Sequence, residues 1–442
     1  MFETLINAFK VKEIRRKIWM TLLILLVFRL GCYIPVPGLN SSVFSETIQD
    51  NQFLELMSSI TGGSLANGTL FALGIGPYIN ASIIVQLLCY GIPALERLSK
   101  QGEDGRRKIS QLTRYVAIVL AIIQSVGIIV NFAVNNDGAI DIALFGSTVW
   151  GTTAANWIAG VFMTIVYTAG ACLVMWLGDR ITEYGVSNGM SLIIFIGLIS
   201  TAGLTILSKF AEVFGIGTQA NINAIWEIIG FVAITIILFT AIVAVDLAER
   251  KIPVQYAKQV KGRKMYGGQR SEIPMRIAAS GVMPLIFAFA LISLPGLIIS
   301  IFWPNSEANT GWTWFTTNWP YPIVLCLLIF FFAFFYSNMQ FNPDDVAKSI
   351  QQNGGFIQGI RPGRPTAEYL KKIWGRITLF GAIYLSLVAF IPSILFSFIS
   401  NDGDLVNVFS TTGILIVVSV AMEFEKQLQS QLMMKNYKGF LK

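Results

Sequence analysis

The chain has 442 residues, 54% of them hydrophobic and only 13% charged, with a mean hydropathy of +0.64. Soluble domains average about 25% charged residues, so this composition excludes a water-soluble globular domain and predicts a polytopic membrane protein. A net charge of +7 comes with no histidine, which removes imidazole bases, proton shuttles and the usual zinc ligand from every functional reading.

The polar, amphipathic start from Met1 to Lys17, followed by a long apolar run without a small-residue cleavage site, predicts no cleavable signal peptide. Apolar runs near the ~20 residues that a bilayer requires lie at about Ile18–Ile34, Ser58–Leu88, Tyr115–Ala133, Trp157–Leu177 and Met190–Leu207. Five more lie at about Ile225–Leu247, Ala278–Trp303, Ile323–Phe341, Ile377–Phe398 and Leu405–Met422. The predicted fold is therefore all-α, with ten transmembrane helices.

The second run is apolar but broken. Gly62, Gly63, Ser64, Asn67 and Gly68 sit where a spanning helix should be continuous, and hydrocarbon cannot satisfy the backbone groups that such residues release. Residues 58–73 are thus expected to dip inward against protein or a water-filled cavity, as a short plug ahead of a half-helix. There Ile75 and Ile79 share a face. A single Gly-kinked span is the alternative.

Except for Arg29 and Lys209, all 32 Lys and Arg fall before the first span, after the last, or in alternate loops. The positive-inside rule then puts both termini in the cytoplasm. An odd number of spans in each half makes residues 1–208 and 209–442 inverted units with a pathway at their interface. Arg29 lies towards the outer end of the first span, where its long side chain can snorkel or bond carbonyls of a neighbouring broken helix. The four cysteines lie in or at apolar spans and read as small buried hydrophobes. No phosphate loop, GxSxG or CxxC pairing is present.

The largest hydrophilic segments, at about 248–275 and 342–372, are expected in the cytoplasm. The first mixes Arg250, Lys251, Lys258, Arg263 and Lys264 with Tyr256 and Tyr266. It is either a solvated anchor against anionic lipids or a projection that meets an acidic partner or RNA phosphates. In the second, Ile360-Arg361-Pro362-Gly363 sets an arginine on a stiff, exposed corner suited to docking.

FALGIGPYINASIIVQLL, EDGRRKISQLTRY, AERKIPVQYAK with GRKMYGG, FNPDDVAKSIQQNGGFIQGIRPGRPTAEYL and MEFEKQLQSQLM occur in that order, and together the chain resembles the SecY family, the channel-forming subunits of bacterial Sec translocons. The resemblance implies an hourglass around a central pore, with an aliphatic ring of Ile75, Ile79, Met190, Ile194, Ile286 and Ile416 at its waist. Met190 stands where family members would usually carry isoleucine. A narrow apolar constriction dewets and holds back ions, yet offers a passing chain nothing to bind. The resemblance also implies a lateral gate with Asn80 and Gln124 at the seam. Its partners would be SecE and SecG subunits, the SecA motor, the ribosome, signal sequences and anionic lipids, in the bacterial plasma membrane. No enzymatic activity and no cofactor are expected. The rival reading is a secondary transporter for a small solute, which would share the inverted halves and broken helix.

Overall fold

The computed structural model describes residues 2–40, 58, 61–99, 101–135, 152–214, 223–256, 259–261, 264–266, 270–277, 283–302, 307–318, 320–399 and 411–439. Two compact units emerge: residues 1–231, 290–321 and 396–442 form one, and residues 232–289 and 322–395 the other.

In the first unit, the amphipathic helix α1 (Phe2–Lys10) leads into α2 (Lys12–Gly31). Ala8, Ile14 and Ile18 pack with Val186 and Leu428, so the amino-terminal helix is seated on the carboxy-terminal end of the chain. The helix α3 (Gly76–Gly91) starts with Pro77, whose missing N–H costs nothing in a first turn. It ends at Ile92, which is extended as the residue before Pro93, and α4 (Pro93–Ser99) leaves at 106°. This bend on the far side of the half-helix was not among the expectations from sequence. The long helices α5 (Glu103–Asn135), α6 (Thr152–Tyr184) and α7 (Gly189–Val213) follow. Gly189 allows α7 to begin directly against the Gly178 carbonyl of α6.

The helix α8 (Asn223–Leu247) runs from one unit into the other. Beyond it the 248–275 segment is sheet: β1 (Glu249–Tyr256) and β4 (Arg270–Arg276) pair antiparallel, while β2 (Gln259–Lys261) and β3 (Lys264–Tyr266) form a separate hairpin. Then come α9 (Met283–Phe302), α10 (Glu307–Thr317), α11 (Pro320–Gln340) and α12 (Pro343–Gln352), and the short strand β5 (Gly355–Ile357) adds to the free edge of β1. Two helices complete the chain, α13 (Arg364–Ile399) and α14 (Thr411–Gly439).

Each expected apolar run therefore carries a helix. Among the described residues five helices are long and apolar enough to cross a membrane, or six if the bent pair α3–α4 counts as one span. The strands are the addition to the all-helical expectation. Ile252 and Val254 alternate with exposed Lys251 and Pro253 along β1 and, with Met275, Ile350 and Ile357, pack on Leu370, Ile373 and Trp374 of α13. Pro253 precedes the stretch that pairs with β5, and Pro274 lies on an edge strand, the positions where a residue without an N–H is tolerated. The two hydrophilic segments are one layer with its own apolar core.

Trp374 closes that core. Its ring stacks on Phe341 at 4.3 Å and its Nε1 donates to the Ser337 carbonyl at 3.2 Å. Trp374→Ala is expected to destabilise this layer by about 3–5 kcal/mol. Hydrogen exchange of the β1 and β4 amides measures the loss, and unchanged protection would contradict this packing.

Candidate functional site

Residues 61–75, ahead of α3, form turns and no helix, and their backbone bonds go elsewhere. Gly62, Gly63, Gly68 and Gly74 take positive φ of 72°, 82°, 58° and 51°, the left-handed region that residues with a Cβ avoid. The Gly63 N–H closes on the Ser58 carbonyl at 2.8 Å, the six-to-one closure that ends helices. Thr61 Oγ1 donates to the same carbonyl at 3.0 Å and accepts from the Leu65 N–H at 3.4 Å, while Ser58 Oγ accepts from the Ala66 N–H at 3.3 Å. The Thr69 N–H and Oγ1 both reach the Ser64 carbonyl, at 3.1 and 3.0 Å. A short bridge ties this segment to the chain leaving α2: the Leu70 N–H donates to the Ile34 carbonyl at 2.9 Å and the Val36 N–H to the Gly68 carbonyl at 3.1 Å.

Side chains then wedge it in place. Leu65, Ala72 and Leu73 form a core with Val36, Ala121 of α5, and Met163 and Tyr167 of α6. Phe71 stacks on Phe28 at 5.8 Å and lies where a Cβ on Gly31 would stand. Gly62, Ser64 and Gly68 are buried, Gly63 is half-buried and Asn67 is exposed. Arg29 donates from Nη1 to the Gly62 carbonyl at 3.2 Å, the kind of carbonyl contact expected from sequence.

Ile75 caps α3 and is buried, as are Met190 and Ile194 on α7 and Ile416 on α14. Ile79 is half-buried. The Met190 sulfur lies against Gly178 of α6, so this position packs towards its helical neighbour. Those five belong to the first unit; Ile286, half-buried on α9, belongs to the second. Asn80 is half-buried on α3 and Gln124 buried on α5, helices that pack along each other.

The basic residues of the second unit divide. Arg250 is exposed on β1, and Lys251 sits 3.7 Å from both Glu249 and Glu272. Lys264 opens β3, and Lys258 and Arg263 lie outside the described residues. Arg361 is exposed on a corner built on both sides. Ile360 before it packs into the core of the layer, Gly359 and Gly363 take φ of 84° and 96°, and the Arg361 carbonyl accepts from Thr366 Oγ1 at 2.8 Å. Sequence alone missed Ile360 as the anchor of this corner, although an apolar residue inside an exposed turn was the signal.

Gly31→Leu would push Phe71 from its seat. Overpacking of this kind typically costs ~1–3 kcal/mol, so exchange at the Leu70 amide is expected to rise about tenfold, and no change would show that Phe71 does not hold the segment.

Residues 69–425 match the model of the SecY family. The protein translocase subunit SecY of Streptomyces coelicolor is 41% identical over 457 residues and covers 100% of both chains. That of Mycobacterium bovis is 39% identical over 462 residues, again over 100% of both chains. Among solved structures, "The structure of a protein conducting channel" superimposes with a TM-score of 0.64 at 21% identity, covering 94% of this chain and 92% of that one. Sec61 in the canine ribosome-channel complex gives 0.63 at 20% identity, with the same coverage. With a family match across most of its length and relatives near 40% identity end to end, the chain belongs to the SecY family.

Proposed function

We propose that this chain is the central protein-conducting channel of a bacterial Sec translocon, a multi-pass protein of the plasma membrane with both termini in the cytoplasm. Its function is protein translocation. Unfolded secretory chains pass through the waist, apolar segments leave sideways into lipid, and partners supply the energy, so the chain itself performs no catalysis. The observation that carries this reading is the non-helical, glycine-turned segment 61–75, held by hydrogen bonds to its own hydroxyls and to the chain after α2 and leading straight into the half-helix α3. A solute carrier would need charge at membrane depth, and the basic residues gather instead in the cytoplasmic segments.

In this reading residues 1–208 and 209–442 are the two inverted halves. The segment around Gly62, Gly63, Ser64, Asn67 and Gly68 is the plug. Ile75, Ile79, Met190, Ile194, Ile286 and Ile416 form the ring, and Asn80 and Gln124 line the lateral gate. Inter-helix polar contacts in membranes average only about 0.6 kcal/mol, which suits a seam that must open for a sufficiently apolar segment.

The layer formed by β1, β4, β5 and α12 is the docking face for the SecA motor and the ribosome, with Arg250, Lys251, Lys258, Arg263, Lys264 and Arg361 as its basic set. Two solved neighbours are ribosome complexes by name, the canine Sec61 channel and the yeast Ssh1 complex. Arg361 is favoured because its backbone is fixed and its guanidinium projects without an ion pair among the described residues. SecE and SecG subunits complete the assembly, and anionic lipids face the remaining basic loops.

Arg361→Glu is expected to lower preprotein export by at least about tenfold, the scale of a lost charge contact reversed in sign, with unchanged amounts of the protein in membranes. Normal export in that variant would remove the docking assignment. Replacing Ile79 and Ile194 together with Gly should let resting membranes pass small ions, because the constriction widens and wets. Membranes that stay tight would count against the ring.

A further inference from the structure

We infer that Arg29 is the positioning residue for the seal: its guanidinium holds segment 61–75 inward and so sets how readily that segment is released. The inference rests on reading that segment as the plug. Arg29 Nη1 donates to the Gly62 carbonyl at 3.2 Å, and Nη2 donates to the Tyr33 hydroxyl at 3.3 Å with the guanidinium 5.3 Å from the ring centre. Tyr33, one helical turn on and exposed, fixes the pose of the guanidinium on its outer side. Gly62 receives it on the inner side.

The acceptor is well chosen for release. Its carbonyl belongs to the turn that follows the helical Ser58, where backbone oxygens lack helical partners and a cation is favoured. A Cβ on Gly62 would meet Arg29 Nη1 on one side and the Gly197 backbone of α7 on the other, so the turn is threaded between α2 and α7. A contact to backbone survives changes in the side chains of the segment, yet breaks outright once the turn withdraws by a few ångström. One charge-assisted bond can bias a closed state without making it irreversible. Lysine would keep the charge but cannot reach the Gly62 carbonyl and the Tyr33 hydroxyl as a fork does.

Cys32 offers an internal control, because its thiol lies beside the Ser64 hydroxyl of the same segment. In the Ser64→Cys variant an oxidised bridge would tie the segment to the end of α2 whether or not Arg29 is present.

The full chain, with the subunits that purify with it, is reconstituted in proteoliposomes and its resting ion conductance measured. Arg29→Met is expected to raise conductance about tenfold, the population shift that loss of one charge-assisted bond produces, and Arg29→Lys less. Melting temperature should stay close to that of the parent. Oxidation of Arg29→Met combined with Ser64→Cys should abolish the leak, and reductant should restore it. Deleting residues 63–68 serves as reference. If that deletion leaks while Arg29→Met stays sealed, the role of Arg29 is overturned and the plug stands. If the deletion does not leak, the plug reading itself fails. A leak that persists through the oxidised bridge also overturns the inference. Should Arg29→Met not insert, Arg29→Lys and Tyr33→Phe carry the test, and parental conductance in both would refute it.

Discussion

Hydrocarbon offers no partner to a peptide N–H or C=O, so any chain that leaves the helix at membrane depth must satisfy every backbone group from the protein itself. Segment 61–75 answers that demand with bonds to its own hydroxyls, to the strand-like stretch after α2 and to Arg29. Ser58, Thr61 and Thr69 are buried because they serve the backbone, and the glycines are there because four turns in the left-handed region leave no place for a Cβ. Without this internal accounting the segment could neither sit inside the helical assembly nor be a separable element.

The layer of β1, β4 and β5 solves a different problem. A basic loop in water has no reason to hold one shape. Here Ile252, Val254, Met275, Ile357 and Trp374 give the loops a core of their own, so that the exposed residues between them are presented at fixed spacing. Arg361 is the clearest case, pinned by Ile360 on one side and by its carbonyl bond to Thr366 on the other.

Much of this was legible from the residues. Apolar runs marked the helices, the one-sided Lys and Arg distribution predicted alternate loops, and glycine clustering located the break and left Arg29 as a donor to carbonyls. The sheet was not read, for a physical reason. Its apolar alternation in ERKIPVQY and RSEIPMR is short and embedded in charge, both strands contain a proline that argues against a strand, and β5 arrives from beyond four further helices. The bend at Ile92 was signalled by Pro93, but a proline after a span also fits an ordinary helix end. The ring could not have been read from periodicity, because an isoleucine facing a pore and one facing lipid look alike. Its residues came from resemblance to the SecY family alone.

The central claim is that a polypeptide in transit passes the face of α3 that carries Ile79. A photoreactive probe at Ile79 should crosslink to a secretory chain stalled in the act of export, while the same probe at Leu26, a residue 59% exposed on α2, should not. An adduct at Ile79 that depends on the stalled chain is the predicted result. No adduct at Ile79, or equal yields at Leu26, would contradict the account.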